Sequence, residues 1–266
     1  MSGVRPGAPA RAALRLLGIG GFIGLWWLAA LSIANAAILP TPGEVFESAR
    51  LNFNGFSALT FVGLEDSSLL GNLAYTVTHA LAAWVIGSTL GIAAGLASAR
   101  IQAARNAVEP VLYVFGAVPV LVAAPFFLIW FGFSAYGQLA LVAFYCFVVL
   151  AIVAEGAALT LPTEYEEYAA TLGIRSGRRM RNVVIPASTP AILGGLRVAL
   201  GSAWGLQAIA ELLGSEQGIG RMIAIFAQLG DATGMLVVII ALGLVAIVID
   251  QILHGVVRWL TRWQES

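Results

Sequence analysis

Six long apolar runs constrain this chain more than any other feature of its sequence. A helix needs about 20 apolar residues to cross roughly 30 Å of hydrocarbon. Six segments reach that length, at residues 14–37, 69–99, 111–131, 138–161, 191–213 and 233–257. Only 11% of the residues are charged, against about a quarter in soluble domains. The sequence therefore predicts an all-α integral membrane protein with six transmembrane helices.

The arginines predict how these helices are oriented. Apart from Arg50 and Arg221, the arginines outside the span interiors lie on one side of the membrane if all six runs span it, and the positive-inside rule assigns that side to the cytoplasm. The prediction is a cytoplasmic tail at 1–13, one transmembrane domain at 14–257 and a second cytoplasmic tail at 258–266. Alternatively, the first run is a cleaved secretory signal, which would leave five spans. A formal net charge of zero and the absence of a basic tail argue against nucleic acid as a partner.

The segment at 40–68 is predicted to be an external loop that carries one short helix. Thr41 and Glu44 have the spacing of a capping box, and Pro42 stands at the first helical position. A helix is therefore expected to begin there and to end before the turn at 52–55.

Glycines and prolines predict where the spans pack closely and where they break. Gly87, Gly91 and Gly95 recur every four residues, which favours close helix packing. Gly201 and Gly205 repeat the spacing in the fifth span. In the third span, proline at positions 119 and 125 removes two N–H groups. Such breaks are tolerated where protein or water covers the backbone, so Pro119 and Pro125 are predicted to line a translocation path.

A few polar side chains within the spans are further candidates for that path. An uncompensated charge at the centre of a membrane costs on the order of 3 kcal/mol, so Glu155, Arg197 and Glu211 should face the bundle interior. Glu155 and Arg197 lie at similar depth, and both a structural ion pair and contact with substrate stay open. Trp204 and Gln207 share a face with Glu211 and are predicted to line the path near its outer mouth.

Charged residues gather in one segment, 162–188, between the fourth and fifth spans. Glu164 and Glu167 favour the start of a helix, because the helix dipole stabilises acidic side chains there. Gly173 permits a sharp turn, and a basic second piece with Arg175, Arg178 and Arg181 is expected to stop before proline 186. A helix–turn–helix element of this kind is predicted to dock a cytoplasmic partner, and a solvated loop is the alternative.

This segment resembles the signature of ABC importer permeases, E-A-A-x3-G-x9-I-x-L-P. The matching positions are Glu167, Tyr168, Ala169, Gly173, Val183, Ile185 and Pro186, with tyrosine in place of one alanine. Further similarity to the nitrate, sulfonate and taurine branch covers the chain from about residue 38, and it includes Thr76, Pro125, the Gly195-Leu196-Arg197 triplet, Glu211 and the Gly218-Ile219-Gly220 triplet. Glu155 departs from the pattern, since an uncharged polar residue is expected there.

The resemblance implies a type I ABC importer permease in a bacterial inner membrane. Its implied partners are two ATPase subunits, a second permease copy forming a homodimer or heterodimer, and an external substrate-binding protein. The segment at 162–188 would then be the coupling helix. ATP and Mg would be bound by the ATPase, because this chain contains neither lysine nor a Gly-rich phosphate loop.

Two points stay open in this interpretation. A small anion such as a sulfonate, nitrate or bicarbonate is the predicted substrate, but one intramembrane arginine beside two glutamates does not define an anion-selective lining. The alternative function is a stand-alone proton-coupled transporter with Glu155, Asp250 and His254 as its relay. Asp250 and His254 are interpreted instead as snorkelling or locally paired residues.

Overall fold

A computed structural model describes residues 8–174 and 176–261 of the chain. Every regular element in this described part is a helix. The α-helices are α1 Ala8–Ile33, α2 Pro42–Leu51, α3 Ser57–Phe61, α4 Leu69–Ser98, α5 Gln102–Ala117, α6 Val120–Phe131, α7 Ala135–Leu159, α8 Thr163–Thr171, α9 Ser176–Arg179, α10 Ile185–Gly214, α11 Ile219–Leu229 and α12 Ala232–Leu260. A π-helix, Met180–Val184, joins α9 to α10.

Five helices in the described part are long and apolar enough to cross a membrane: α1, α4, α7, α10 and α12. A sixth span results if α5 and α6 are counted together. The predicted all-α class with six spans is therefore confirmed, with corrections to the bounds of the third and fifth spans.

The third span was predicted at 111–131 with breaks at both of its prolines; the break at Pro119 is confirmed, whereas the bounds and the break at Pro125 are wrong. Helix α5 begins at Gln102, and α6 is bent from it by 111°. The break lies at Val118, which takes an extended conformation with φ −85° and ψ 123°, because a residue before proline is disfavoured in the helical region. Pro119 then caps α6, whereas Pro125 stays inside that helix.

The predicted stop before Pro186 is also wrong. The chain is helical without interruption from Ser176 through the π-helix into α10. The apolar helix of the fifth span therefore covers Gly177–Gly214 and begins fourteen residues before the predicted start at 191. Pro186 directly follows the π-helix in the first turn of α10, and a local π-helical adjustment is one way in which a helix tolerates a proline.

The contacts divide the chain into two units. In the unit of residues 71–221 and 242–266, α7 packs against α10, α6 and α5, around buried side chains such as Cys146 and Leu150. The unit of residues 1–70 and 222–241 contains α2, whose predicted capping box is present. It also contains an edge-on contact between Phe56 and Phe226.

Only one of the two predicted glycine faces packs against a neighbouring helix. A Cβ atom at Gly87, Gly91 or Gly95 would overlap the α7 backbone, whereas one at Gly201 or Gly205 would meet no atom of the described residues within 4 Å. The close-packing prediction is thus confirmed for α4. For α10 the close-packing prediction is wrong within this chain, because no helix of the described chain packs against its glycine face at Gly201 and Gly205.

Candidate functional site

Helix α8 of the segment 162–188 presents acidic and aromatic side chains outward. Glu164 and Glu167 are exposed, and so are Tyr168 and Leu172, at 72% and 77% of their surface. Ala169 is buried at 3% and forms the inner side of the helix. The outer side is therefore available for a partner.

Gly173 ends α8 with a turn that other residues adopt only under strain. Its φ is +69°, the left-handed conformation that glycine reaches without a Cβ clash. The N–H of Ile174 donates to the Ala169 carbonyl at 3.0 Å, which is the closing bond of a Schellman motif. The predicted turn at Gly173 is confirmed, and its geometry is fixed by hydrogen bonding.

Beyond this turn the chain forms one wall of an apolar cavity. The cavity has a volume of about 560 Å³ and lies between α8 and the start of α10, lined among others by Tyr165, Tyr168, Leu172, Val183 and Pro186. Arg178 and Arg181 are exposed. Arg175, the other predicted member of the coupling set, lies outside the described residues.

A second group of polar side chains is buried around Glu211. The Glu211 carboxylate is fully buried and accepts hydrogen bonds from the Thr76 hydroxyl at 2.8 Å, the Gln207 side-chain amide at 2.9 Å and the Gly220 N–H at 2.9 Å. Because a buried carboxylate requires such donors, the three groups hold it in place.

The same group fixes the start of α11. The Gly218 N–H donates to Asn72 Oδ1 at 2.7 Å, and the Ile219 N–H donates to Thr76 Oγ1 at 2.9 Å. With the bond from Gly220, side chains of α4 and α10 satisfy three N–H groups that a helix start leaves without intrahelical partners. Gly218 has a φ of +100°, and a Cβ atom there would overlap the Glu211 carboxylate. We call this set the Glu211 network.

Sequence reasoning identified only part of this network. It placed Trp204, Gln207 and Glu211 at an outer path, whereas all three are buried in the chain, and the two polar ones belong to the network. Their role in the path stays a prediction. Asn72 was missed, because a lone asparagine at the start of an apolar run gives no signal that it accepts a bond from a residue 146 positions away.

Arg197 pairs with α12, which decides against the ion pair with Glu155. Two nitrogens of Arg197 donate to the two carboxylate oxygens of Asp250 at 2.7 Å and 2.6 Å, and His254 Nδ1 lies 3.5 Å from a third. The bidentate geometry favours this pair. The sequence predicted that Asp250 and His254 snorkel or pair locally along α12. In the structure both side chains instead lie beside Arg197 of α10.

The remaining path candidates lie apart from this ion pair along the chain. Pro119 and Pro125 are exposed on either side of the start of α6, and Glu155 is half-buried in the last turns of α7. These positions leave their predicted path role untested.

The described chain thus consists of apolar helices of membrane-spanning length, one bent span and an exposed helix, α8, between two spans. The chain belongs to the family of binding-protein-dependent transport system inner membrane components, whose model matches residues 87–265. It is thus an ABC importer permease, a transport component and a multi-pass membrane protein.

Curated relatives agree with the predicted branch. The chain is 28% identical to the putative aliphatic sulfonates transport permease SsuC of Bacillus subtilis, over 92% of this chain and 85% of that one. It is 26% identical to the taurine transport system permease TauC of Escherichia coli, over 90% and 85%. A probable ABC transporter permease of Brucella abortus is 27% identical over 95% and 96%.

Solved structures share the type I importer fold. An inward-facing MetNI methionine ABC transporter matches with a TM-score of 0.61 and 21% identity, over 71% of this chain and 94% of that one. An amino acid ABC transporter matches with a TM-score of 0.60 and 18% identity, over 77% and 96%.

Proposed function

We propose that this permease forms the translocation pathway of an ATP-driven importer for a small anion that an external binding protein delivers. Sulfonate, nitrate and bicarbonate are the candidate anions. Two ATPase subunits would bind ATP and Mg and dock on segment 162–188 from the cytoplasm, and a second permease copy would complete the pathway. Both termini would lie in the cytoplasm of a bacterial inner membrane.

The exposed outer side of α8 is the observation that carries this proposal. A large apolar surface at the end of a protein element is a common mark of a binding site, and Tyr168 and Leu172 supply it here. The acidic side chains beside them would pair with basic groups at the rim of a groove in the ATPase.

The described elements on either side of residue 175 are suited to transmit force from α8 into the membrane. The turn at Gly173 is closed by hydrogen bonds, and beyond residue 175 the backbone is helical from Ser176 to Gly214. Because α10 packs against α7, a displacement of α8 would tilt this pair of spans between inward-open and outward-open states.

The proposed pathway uses the bent span and the open face of α10. Backbone groups freed at the break before Pro119 need cover by protein or water within a membrane. An exposed glycine face at Gly201 and Gly205 leaves room beside α10, and Arg197 at its side is 44% exposed. The small-anion assignment is supported by the sulfonate and taurine permeases among the relatives.

Co-purification with the cognate ATPase subunit tests the docking site. The double substitution Tyr168→Ser and Leu172→Ser is expected to lower ATPase retention at least about tenfold, since aromatic anchors dominate interfaces. Tyr136→Ser removes a tyrosine that is 82% exposed outside this segment and serves as the matched control. Equal retention by both variants would contradict the proposal.

Uptake into proteoliposomes tests the energy source and the substrate. With ATPase and binding protein present, ATP should drive uptake of a labelled sulfonate, nitrate or bicarbonate. Uptake by the permease alone under a pH gradient would instead support a proton-coupled carrier that uses Glu155, Asp250 and His254.

A further inference from the structure

The ion pair between Arg197 and Asp250 lies at mid-depth of two spans. Arg197 is close to the middle of the apolar helix Gly177–Gly214, and Asp250 lies nine residues before Trp259, where the apolar helix of the last span ends. Nine helical residues rise about 14 Å, which is roughly half of the hydrocarbon thickness of about 30 Å. Both charges are therefore far from the membrane surfaces.

The described chain leaves both partners of this pair partly uncovered. The Arg197 side chain is 44% exposed and the Asp250 side chain is 32% exposed. Charged side chains at this depth face the interior of a bundle or a water-filled cavity, because contact with lipid is costly. The uncovered side of the pair must therefore face water or another protein surface, an exposure that a purely structural pair between two helices does not need.

The surface beside Arg197 is open because glycines flank it on the same helix face. Gly194 and Gly201 lie three residues before and four residues after Arg197, which is the spacing of neighbours on one face of a helix. A Cβ atom at either glycine would meet no atom of the described residues within 4 Å. A small solute can thus approach the guanidinium without a side chain from these two positions in its way.

Asp250 holds Arg197 in the way that an oxyanion would. Its two carboxylate oxygens accept hydrogen bonds from Nε and one terminal nitrogen of Arg197, at 2.7 Å and 2.6 Å. Sulfonate, nitrate and bicarbonate also carry pairs of oxygens on one central atom, so each can accept the same two parallel bonds from a guanidinium. Asp250 therefore occupies the position that such an anion would take.

We propose that Arg197 binds the oxyanion group of the transported solute at mid-membrane, in exchange for Asp250. This inference rests on the proposed import of a small anion and specifies the residue that contacts it. The charge of Arg197 is compensated before, during and after the passage of the anion, first by Asp250, then by the solute and then by Asp250 again. His254, whose Nδ1 lies 3.5 Å from another nitrogen of Arg197, stays beside the guanidinium throughout.

Competition from Asp250 gives the site the weak binding that transport requires. A conduction site must bind its ion well enough to admit it and weakly enough to release it. An arginine without a counter-ion at this depth would hold an anion tightly, because the surrounding dielectric constant is low. Asp250 lowers the affinity by returning to the arginine as the solute leaves.

Anion binding to the full-length permease in detergent tests the exchange. Methanesulfonate is the probe, and chloride, which has no pair of oxygens, is the control at equal ionic strength; affinities follow from the dependence of the melting temperature on anion concentration. Asp250→Asn removes the competing carboxylate and should raise the affinity for methanesulfonate, but not for chloride, at least about tenfold. The double variant Arg197→Gln, Asp250→Asn should lose this gain. An Asp250→Asn protein that binds methanesulfonate no better than wild type would refute the exchange.

Uptake into proteoliposomes with ATPase and binding protein tests the role in transport, and it does not require Asp250→Asn to fold. The double variant, in which neither charge remains, should take up a labelled sulfonate at least about tenfold more slowly than wild type, while the binding protein still stimulates ATP hydrolysis. Arg258→Gln removes an exposed arginine near the end of α12 and should leave uptake unchanged. Equal uptake by the double variant and wild type would overturn the inference. Absence of uptake by wild type would instead contradict the importer proposal, on which the measurement in detergent does not depend.

Discussion

At the scale of single residues, polar groups within the spans of this permease, both the buried Glu211 and the partly exposed Arg197, bond to partners distant in sequence. Glu211 bonds to Thr76 across 135 positions, and Arg197 bonds to Asp250 across 53. A buried group that loses its partner costs more than the bond contributed. Single substitutions at the residues that make these contacts should therefore have the largest effects on the stability of the permease.

Thr76→Val should destabilise the permease by about 1–3 kcal/mol, because it leaves Glu211 and the Ile219 N–H each without one partner. Thr78→Val is the matched control, since Thr78 is exposed on the same helix and its hydroxyl bonds to carbonyls of that helix. Chemical denaturation in detergent measures the difference. Equal effects of the two changes would contradict a role of the Glu211 network in stability.

The pair between Arg197 and Asp250 should behave as a unit. Arg197→Gln leaves Asp250 without its cation, so this variant should have a lower melting temperature than the double variant Arg197→Gln, Asp250→Asn, in which neither charge remains. Thermal unfolding of wild type, the two single variants Arg197→Gln and Asp250→Asn, and the double variant measures the coupling between the two side chains. Additive shifts would mean that the two side chains do not interact.

At the scale of the helices, packing separates two glycines with the same sequence context. Gly91 faces the backbone of α7, where a Cβ atom would overlap the Phe147 carbonyl, whereas Gly201 faces open space. Both lie inside long helices, so intrinsic helix propensity favours alanine equally at each. Contacts with a neighbouring helix therefore decide the sign of the effect.

Gly91→Ala should destabilise the monomeric permease by about 1–3 kcal/mol, because the backbone of α7 must move away. Gly201→Ala should stabilise it by up to about 1 kcal/mol through helix propensity alone. Unfolding in detergent at a concentration where the chain is monomeric checks both signs. Destabilisation by Gly201→Ala under those conditions would mean that its face is covered within the chain.

The cap of α2 should respond to acid. Hydrogen bonds from the Thr41 N–H and hydroxyl lower the pKa of Glu44 below its usual value of 4.5. Its stabilisation is therefore present above the unfolded pKa and is lost as the pH falls through the folded one. Hydrogen exchange of the α2 amides, corrected for its intrinsic pH dependence, should accelerate over that range in wild type but not in Glu44→Gln. An identical response in both proteins would exclude this cap as the cause.

At the scale of the whole molecule, the importer proposal requires that segment 162–188 and the external loop lie on opposite sides of the membrane. The chain has one cysteine, Cys146, which is buried, so a Cys146→Ala background allows single cysteines to be labelled. Asn54→Cys should react with a membrane-impermeant maleimide in intact cells. Arg178→Cys should react only after permeabilisation, and labelling from outside would invalidate the proposed orientation.

Local patterns predicted much of this structure. The apolar runs, the capping box at Thr41, the turn at Gly173 and the break at Pro119 all depend on residues within a few positions of each other, and each appears in the described chain. The similarity of segment 162–188 to a family signature likewise predicted the family before the comparison confirmed it.

The sequence by itself determined which stretches are helical spans and where the chain turns, because hydrophobic length, helix capping and the constraints of glycine and proline act locally. Only the tertiary structure decided that Arg197 pairs with Asp250, that Asn72 and Thr76 hold the start of α11, and that α5 and α6 meet at 111°. Those outcomes depend on which helices become neighbours, and a polar side chain in an apolar run carries no mark of the partner that packing will bring to it.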